Sequence, residues 1–441
     1  MMTPTETRAL VDRLLTLVRA TTGAEALVGV RTSREGNTRF AVNEITSSGD
    51  VERQTISLTV QLGQRSASAT TNQTDDRSLD DLVGRTVRMA QLAPENPEQL
   101  PVLGKQSYSN SKGPVDPATG KLTPDVRAKA VGAAITAADA AKVSIAGFVG
   151  HGSHSLTLGT TAGLAAYHAW TSAGMSCTAR TADGTGSGWA GLGGNRMADL
   201  DAGALARTAV DKATSSAQPH KLEPGRYTVI LEPAAVASLV AFFSQAMSAR
   251  AADEGRSFFT RQRPGSKLFP ELVTLRSDPA DGALGAVPFD GDGLPLAPTQ
   301  WIDKGVLTAL VYSRFWGKKQ GKPATGTPSG LTLDGGTSSR DALIQGVTRG
   351  VLITRFWYLR LLDPQALLVT GLTRDGVYLI ENGRITHPVN NFRFNESPVQ
   401  LLAKCDGLGA TAIPSGGEVG GIRAPLVRSH EFNLASISEA V

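Results

Sequence analysis

Residues 227–259 read YTVILEPAAVASLVAFFSQAMSARAADEGRSFF, and the rest of the predicted fold is arranged around them. Residues 227–231 are aromatic, β-branched or aliphatic, as is typical of a buried strand. Pro233 then occupies the first position of a predicted helix that ends before Gly255. Because apolar residues lie on nearly every side of this helix, we expect it to be buried all round.

The helix predicted over residues 233–252 carries no group with hydrolytic chemistry. It contains no histidine, no cysteine and no acidic residue. A helix that follows a central strand is a place where a hydrolase could hold its catalytic side chains, and a zinc ion there would need His, Cys or carboxylate ligands. This absence is the main functional clue in the sequence.

The composition and charge are typical of a globular protein. The chain has 441 residues, enough for two or three domains, and its net charge of +4 comes from interspersed acids and bases rather than a basic stripe. Cys177 and Cys405 are far apart, so they form neither a disulfide framework nor a zinc ribbon. The sequence lacks a signal peptide and a run of membrane-spanning length. We therefore expect a cytoplasmic protein with no nucleic-acid and no membrane partner.

Residues 1–220 predict an N-terminal α+β domain with antiparallel strands. Thr3-Pro4-Thr5-Glu6 has the pattern of a capping box and opens the first predicted helix. Glycine, asparagine and aspartate separate the strands that the sequence predicts at residues 26–32, 39–45, 55–62, 66–71, 144–150, 153–159, 164–172 and 175–182.

Residues 221–441 predict a C-terminal domain that is mainly antiparallel β and contains the buried helix. The fold class is therefore α+β in two domains, with the boundary in the polar, proline-containing segment 218–225. Residues 302–307 (IDKGVL) and 380–385 (IENGRI) each place a polar pair ending in glycine between apolar residues, which predicts two type I′ hairpins. They indicate either a weak internal duplication or merely two good turns.

Residues 186–191 read GSGWAG and fit the pattern GxGxxG after a predicted strand. A dinucleotide site also needs a helix to begin at once, and Gly193-Gly194-Asn195 is a poor helix start. A glycine-rich connection, or a loop at which an extended substrate approaches the backbone, fits the pattern better. Gly186, Gly188 and Trp189 are therefore candidate substrate-binding residues.

His151-Gly152-Ser153-His154 is the one close histidine pair in the sequence and lies at a predicted turn between two strands. A zinc site needs three or four ligands, and no third one lies nearby in the sequence. We expect a turn that faces solvent or a cleft, which makes His151 and His154 candidate substrate-binding residues. The prediction accordingly includes no catalytic residue and no metal ligand in this chain.

Several stretches together resemble the TldD/PmbA family and, within it, the PmbA branch, also called TldE. They are residues 66–72, TARTADGTGSGWA at 178–190, YTVILEPAAVASLV…EGRSFF at 227–259, residues 298–312, and VYLIENGRITHP at 377–388. The resemblance spans nearly the whole chain, from residue 25 to residue 410. In that family the TldD-type subunits carry His-Glu-x-x-x-His on the helix after the mid-chain strand, where the motif binds zinc in a peptidase site.

The resemblance implies that this chain is the non-catalytic, TldE-like subunit of a heterodimeric TldD/TldE zinc metallopeptidase. Residues 233–252 offer apolar side chains where a TldD-type subunit has its zinc ligands. Zinc is therefore expected in the TldD-like partner subunit, with no cofactor in this chain. The expected substrates are unfolded or modified peptides.

Two alternatives remain open. One is a hydrolase with a different, metal-free site that uses His151 or His154 as its base. The other is a stand-alone homodimer that binds peptides without cleaving them. A dimer is expected in every case, and exposed apolar surface around the second domain would form its interface.

Overall fold

The computed structural model describes residues 1–22, 24–111, 113–416 and 421–439. The α-helices in these ranges are α1 (Pro4–Thr22), α2 (Asp76–Leu92), α3 (Pro117–Gly120), α4 (Pro124–Ala140), α5 (Ala202–Ser215), α6 (Pro233–Ala246), α7 (Ala249–Asp253), α8 (Arg314–Gln320), α9 (Arg340–Gln345) and α10 (Pro398–Ala403). The strands are β1 (Glu25–Ala41), β2 (Glu44–Leu62), β3 (Arg65–Thr71), β4 (Ser144–Thr160), β5 (Ala165–Arg180), β6 (Ser187–Gly194), β7 (Gly225–Leu231), β8 (Leu275–Ser277), β9 (Thr299–Asp303), β10 (Val306–Leu307), β11 (Leu331–Leu333), β12 (Arg349–Asp363), β13 (Leu368–Glu381), β14 (Arg384–Pro388), β15 (Asn391–Glu396), β16 (Cys405–Ala412) and β17 (Ile422–Ser438).

The first sheet has the strand order β3-β2-β1-β4-β5-β6, and every neighbouring pair is antiparallel. One face is covered by helices: Val28 and Val30 of β1 pack in a core with α1 and α2, and Phe40 packs in a second core with α4 and α5. Successive side chains of a strand point to opposite faces. The other face, which we call the open face, therefore carries the residues that alternate with these, among them His154 of β4 and Trp170 of β5.

The strands of this sheet are longer than the sequence predicted. The predicted turn at residues 151–154 was wrong, because these residues lie within β4, and the predicted gap at 33–38 lies within β1. The turn between β1 and β2 is instead at Val42 and Asn43, which both have positive φ. Glycine has a different role in these strands than to mark a turn. A Cβ on Gly36 would collide with the side chains of Arg127, Asp50 and His151. Such glycines make room for neighbouring side chains and do not break the strand.

The second sheet is mixed and wraps the buried helix. Its main path is β10-β9-β8-β11-β17-β15-β13-β12-β7, with β14 on β13 and β16 on β17. The pairs β7–β12 and β11–β17 are parallel, and the other pairs are antiparallel. Both predicted hairpin turns are confirmed, since Lys304-Gly305 and Asn382-Gly383 have positive φ. The predicted α+β class is confirmed.

The helix predicted over residues 233–252 is broken in two. α6 ends at Ala246 because the backbone of Met247 bonds with Val311 instead, and Ser248 then caps α7 through the amide of Ala251. Val236, Leu239 and Phe243 of α6 are fully buried in the largest core. Among the described residues, no helix combines the length and the apolar character needed to cross a membrane.

A buried ion pair joins the two parts of the chain at the start of α6. Lys212 of α5 donates from Nζ to Glu232 Oε2 at 2.5 Å and to the Trp189 carbonyl at 3.2 Å. Beside this pair, the Tyr378 hydroxyl donates to the Lys212 carbonyl at 2.9 Å. Only 11% and 15% of the two charged side chains are exposed, so each depends on the other to offset the loss of water.

We expect Lys212→Met to lower the free energy of unfolding by about 3 kcal/mol, because it leaves Glu232 buried without its main counter-charge. Chemical denaturation of Lys212→Met, Glu232→Gln and the double variant tests this. The double variant should be more stable than Lys212→Met alone, since it removes the orphaned charge. Additive losses in the double variant would show that the two residues are not coupled.

Candidate functional site

Helix α6 presents no side chain suited to metal binding. Its buried positions hold alanine, valine, leucine, phenylalanine and Ser238. The Ser238 hydroxyl donates to the Ala234 carbonyl at 2.9 Å and is thereby used within the helix. Across the part of the chain that the structure describes, no three or more His, Cys, Asp or Glu side chains are grouped to hold a metal ion. That zinc belongs to a partner and not to this chain stays a prediction.

The structure separates His151 from His154, because residues three apart in one strand point to opposite faces. His151 lies on the helix-covered face and is buried. Arg127 of α4, itself fully buried, donates from Nη1 to His151 Nδ1 at 3.4 Å and pairs with Asp50 at 2.9 Å. Burial, and then the charge of Arg127, lower the pKa of His151, so the imidazole is a neutral part of the domain core.

His154 lies on the open face, at a cleft of about 390 Å³ between the first sheet and the loop 413–416 that follows β16. Glu35, Phe148, Ser172 and Ser415 also line this cleft, and His151, although mostly buried, borders it as well. An adjoining cleft of about 210 Å³ shares Ser172 and Ser415 and adds Trp170. The loop can cross the sheet closely because Gly174 and Gly191 have no side chain to meet Ser415. This pair of clefts is the candidate functional site.

Ser172, His154 and Glu35 form a polar row in the clefts. His154 Nε2 lies 2.9 Å from Ser172 Oγ, and His154 Nδ1 lies 3.9 Å from Glu35 Oε1. The Trp170 ring stacks on the imidazole with centroids 5.1 Å apart and planes at 22°, which fixes its orientation. A Cβ on Gly152 would lie 2.5 Å from Nε2, so only glycine fits beneath the ring. Burial lowers the pKa of His154 although Glu35 opposes this, so Nε2 can accept a proton near neutral pH.

Sequence reasoning missed Glu35, Ser172, Trp170 and His168. His168, Trp170 and Ser172 occupy alternate positions of β5 and therefore share the open face. His168 stacks on Trp170 at 5.6 Å, and its Nε2 is buried with no hydrogen-bond partner among the described residues. The signal that could have found the last three is the spacing i, i+2, i+4, because His168, Trp170 and Ser172 all lie within the strand predicted at residues 164–172.

Gly186, Gly188 and Trp189 lie where the first sheet meets the second sheet and not in the clefts. A Cβ on Gly186 or Gly188 would collide with the backbone of α5, so packing of the helix accounts for both glycines. Trp189 is only 4% exposed and stacks with the guanidinium of Arg355 at 5.1 Å. Its neighbour Ser187 donates to Asp375 at 2.5 Å. The role of these residues in substrate binding stays a prediction.

We expect Gly188→Ala to lower the free energy of unfolding by about 1–3 kcal/mol, because its methyl group would collide with the backbone of α5. The matched control is Gly194→Ala at the end of the same strand, where no heavy atom lies within 4 Å of the new Cβ. Thermal and chemical unfolding of both variants provide the comparison. Equal free energies of unfolding for the two variants would contradict the packing explanation. Substrate binding would then be the remaining explanation for Gly188.

Three models of one family match the chain in order. They are described as PmbA/TldA metallopeptidase domain 1, at residues 26–90, the central domain, at residues 120–217, and the C-terminal domain, at residues 224–436. A metalloprotease PmbA homolog from Haemophilus influenzae is 25% identical over 188 residues, 40% of each chain. A metalloprotease from Methanothermobacter thermautotrophicus is 24% identical over 223 residues, 47% of this chain and 48% of that one. The matches thus span less than half the length of these relatives.

Solved structures share the whole fold. TldE from Thermococcus kodakarensis superposes with a TM-score of 0.86 at 16% identity, covering 97% of this chain and 100% of that one. A putative modulator of DNA gyrase from Thermotoga maritima gives a TM-score of 0.85 at 19% identity with the same coverage. At these identities the likeness shows a common fold alone.

Proposed function

The chain belongs to the PmbA/TldD metallopeptidase family, in its PmbA branch, and from this premise we propose that it is the non-catalytic subunit of a heterodimeric zinc metallopeptidase. The single observation that carries the proposal is the chemistry of α6. This helix follows the mid-chain strand, where the zinc motif of TldD-type subunits is expected, and its residues are neutral and mostly apolar.

Introducing zinc ligands into α6 would not by itself create a metal site there. Two imidazoles and a carboxylate need a cavity, solvent access and supporting hydrogen bonds. The side chains of Ala235, Val236, Leu239 and Phe243 are instead fully buried against the second sheet. The proposed division of labour therefore places zinc and the activated water in the partner, while this chain completes the chamber that receives the peptide.

The clefts around His154 and Ser172 are the part of this chain that we assign to the peptide. They have hydrogen-bonding groups in His154, Ser172 and Ser415, an aromatic wall in Trp170 and a carboxylate in Glu35. An extended peptide has unpaired amide and carbonyl groups along its length, which such mixed walls can satisfy. The proposed substrates are unfolded or modified peptides, and the proposed location is the cytoplasm.

Purification of the chain alone and together with the His-Glu-x-x-x-His chain of the same genome tests the proposal. We expect the chain alone to bind no zinc and to cleave no unfolded peptide, because it lacks ligands for the metal. The pair should form a stable complex with zinc and peptidase activity. The control is a pair whose partner has Gln in place of the motif glutamate, which should assemble without activity. Zinc-dependent cleavage by the chain alone would overturn the proposal.

A second candidate function is metal-free hydrolysis, favoured by the row of Ser172, His154 and Glu35. Ser172 Oγ would attack a carbonyl carbon while its proton passes to His154 Nε2, which then protonates the leaving group. A water molecule, deprotonated by the same nitrogen, would release the acyl group and regenerate Ser172. Glu35 lies beyond hydrogen-bond distance, at 3.9 Å, and would support the imidazolium by its charge.

Covalent labelling with a fluorophosphonate distinguishes this candidate. If the row is catalytic, Ser172 should be labelled, and Ser172→Ala should abolish the modification, whereas Ser176→Ala on the same strand should not. Because burial lowers the pKa of His154, the base stays neutral and labelling should persist somewhat below pH 6.5 before protonation stops it. Absence of label on Ser172 in the wild-type chain would remove this candidate and leave the first one intact.

A further inference from the structure

Two arginines of β1 border the clefts on the open face. Arg31, Glu35 and Arg39 alternate with the residues of β1 that face the helices, so their side chains share the open face. The Arg31 guanidinium lies over the Trp170 ring at 5.9 Å, and the Arg39 guanidinium lies over the Phe148 ring at 5.8 Å. Because Phe148 lines the larger cleft and Trp170 lines the smaller one, each cleft has one arginine beside it.

Neither arginine has a counter-charge in the part of the chain that the structure describes. Both side chains are exposed, and neither makes a hydrogen bond or an ion pair with a described residue. Arg53 on the same face differs from them, because it binds Glu35 at 3.1 Å. Contact with an aromatic ring restricts a guanidinium without using its N–H donors. The donors of Arg31 and Arg39 are therefore available to a ligand that enters the clefts.

The spacing of the two arginines matches that of two side chains in an extended peptide. Arg31 and Arg39 are eight residues apart in one strand, which corresponds to about 27 Å at about 3.4 Å per residue. An extended peptide rises by nearly the same distance per residue, so two of its side chains about eight residues apart can reach both arginines. Glu35 lies midway between them and already has Arg53 as its partner, so this pair adds no free positive charge there.

We propose that Arg31 and Arg39 select peptides that carry two acidic side chains about eight residues apart, with one carboxylate beside each cleft. The inference deepens the proposed function, on which it rests for the presence of a peptide. A guanidinium binds a carboxylate through two parallel, charge-assisted hydrogen bonds, which give both affinity and a fixed geometry. The two contacts would fix the register of the peptide over the row of Ser172, His154 and Glu35 and disfavour peptides with basic side chains at these positions.

The aromatic rings beside the arginines favour a peptide over a nucleic acid as the source of the negative charge. Proteins that bind single strands use aromatic side chains as platforms on which bases stack. Here Trp170 already stacks with His154 and His168, at centroid distances of 5.1 and 5.6 Å, and Arg31 lies over the same ring. Rings that are engaged in this way are poor platforms for bases, whereas a carboxylate needs only the guanidinium donors.

Fluorescence anisotropy with fluorescein-labelled glycine–serine peptides, which are unstructured, tests the inference. The peptides carry Glu, Gln or Lys at two positions eight residues apart, or two adjacent Glu, and are titrated with the chain alone and with the pair whose partner has Gln in place of the motif glutamate. We expect the spaced Glu peptide to bind at least about tenfold more tightly than the others, because it alone places a carboxylate at each arginine.

The double variant Arg31→Gln/Arg39→Gln should abolish this preference, since it removes both cations and leaves polar side chains of similar length. The matched control is Arg34→Gln in the same strand, because Arg34 points to the opposite face and lies 3.8 Å from Glu52. This control should keep the preference for the spaced Glu peptide. Unchanged melting temperatures would show that both variants remain folded.

The outcomes separate this inference from the proposed function. If the pair assembles and cleaves unfolded peptides but the Glu and Gln peptides bind equally well, or neither binds, the inference alone is wrong. If the pair does not assemble, the proposed function fails, while a preference of the chain alone for the spaced Glu peptide would still support the selection of acidic peptides. If an oligothymidylate binds more tightly than the spaced Glu peptide and the double variant loses it, the arginines serve a nucleic acid and the inference is overturned.

Discussion

The second sheet is built around the dense apolar packing of α6. The helix fills the space inside the second sheet and packs against β12 and β17, and Phe243 makes ring contacts with Phe259 and Phe269 at 5.5 and 5.8 Å. A metal centre in that place would need polar ligands and an opening to solvent. A close-packed interior has room for neither, because each added polar group must find a partner or remain costly. The apolar packing of α6 therefore leaves no room for a metal centre on this helix.

In the first sheet, glycines within the long strands make room for buried polar side chains. Gly36 allows Arg127 to reach His151 and Asp50, and Gly152 allows the His154 ring to lie flat beside Ser172. Removing a side chain from the strand creates space without interrupting its backbone hydrogen bonds. As a result, one strand holds His151 against Arg127 on the helix-covered face and His154 against Ser172 on the open face. The two histidines differ in surroundings because successive side chains of a strand point to opposite faces of the sheet.

Much of the local structure could be predicted from the sequence, because local chemistry determines it. The capping box at Thr3–Glu6 forms, with Thr3 N donating to Glu6 at 2.7 Å, and both glycine-containing hairpin turns form as predicted. The lengths of β1, β4 and β5 could not be predicted, since their glycines respond to side chains far away in the sequence. For the same reason the row of Glu35, His154 and Ser172 could not be predicted from the sequence. Its members come from three strands and meet only through the register of the sheet.

Glu232 lies directly before α6 and is held by two cations. It is the acidic residue nearest in sequence to the start of this helix, and at a catalytic centre a carboxylate in such a position could act as a base. Here Lys212 binds it at 2.5 Å and Arg340 lies 3.9 Å away, so both of its oxygens face cations. The same contact anchors α5 to the start of α6, so Glu232 links the two parts of the chain, in keeping with the non-catalytic role that we propose.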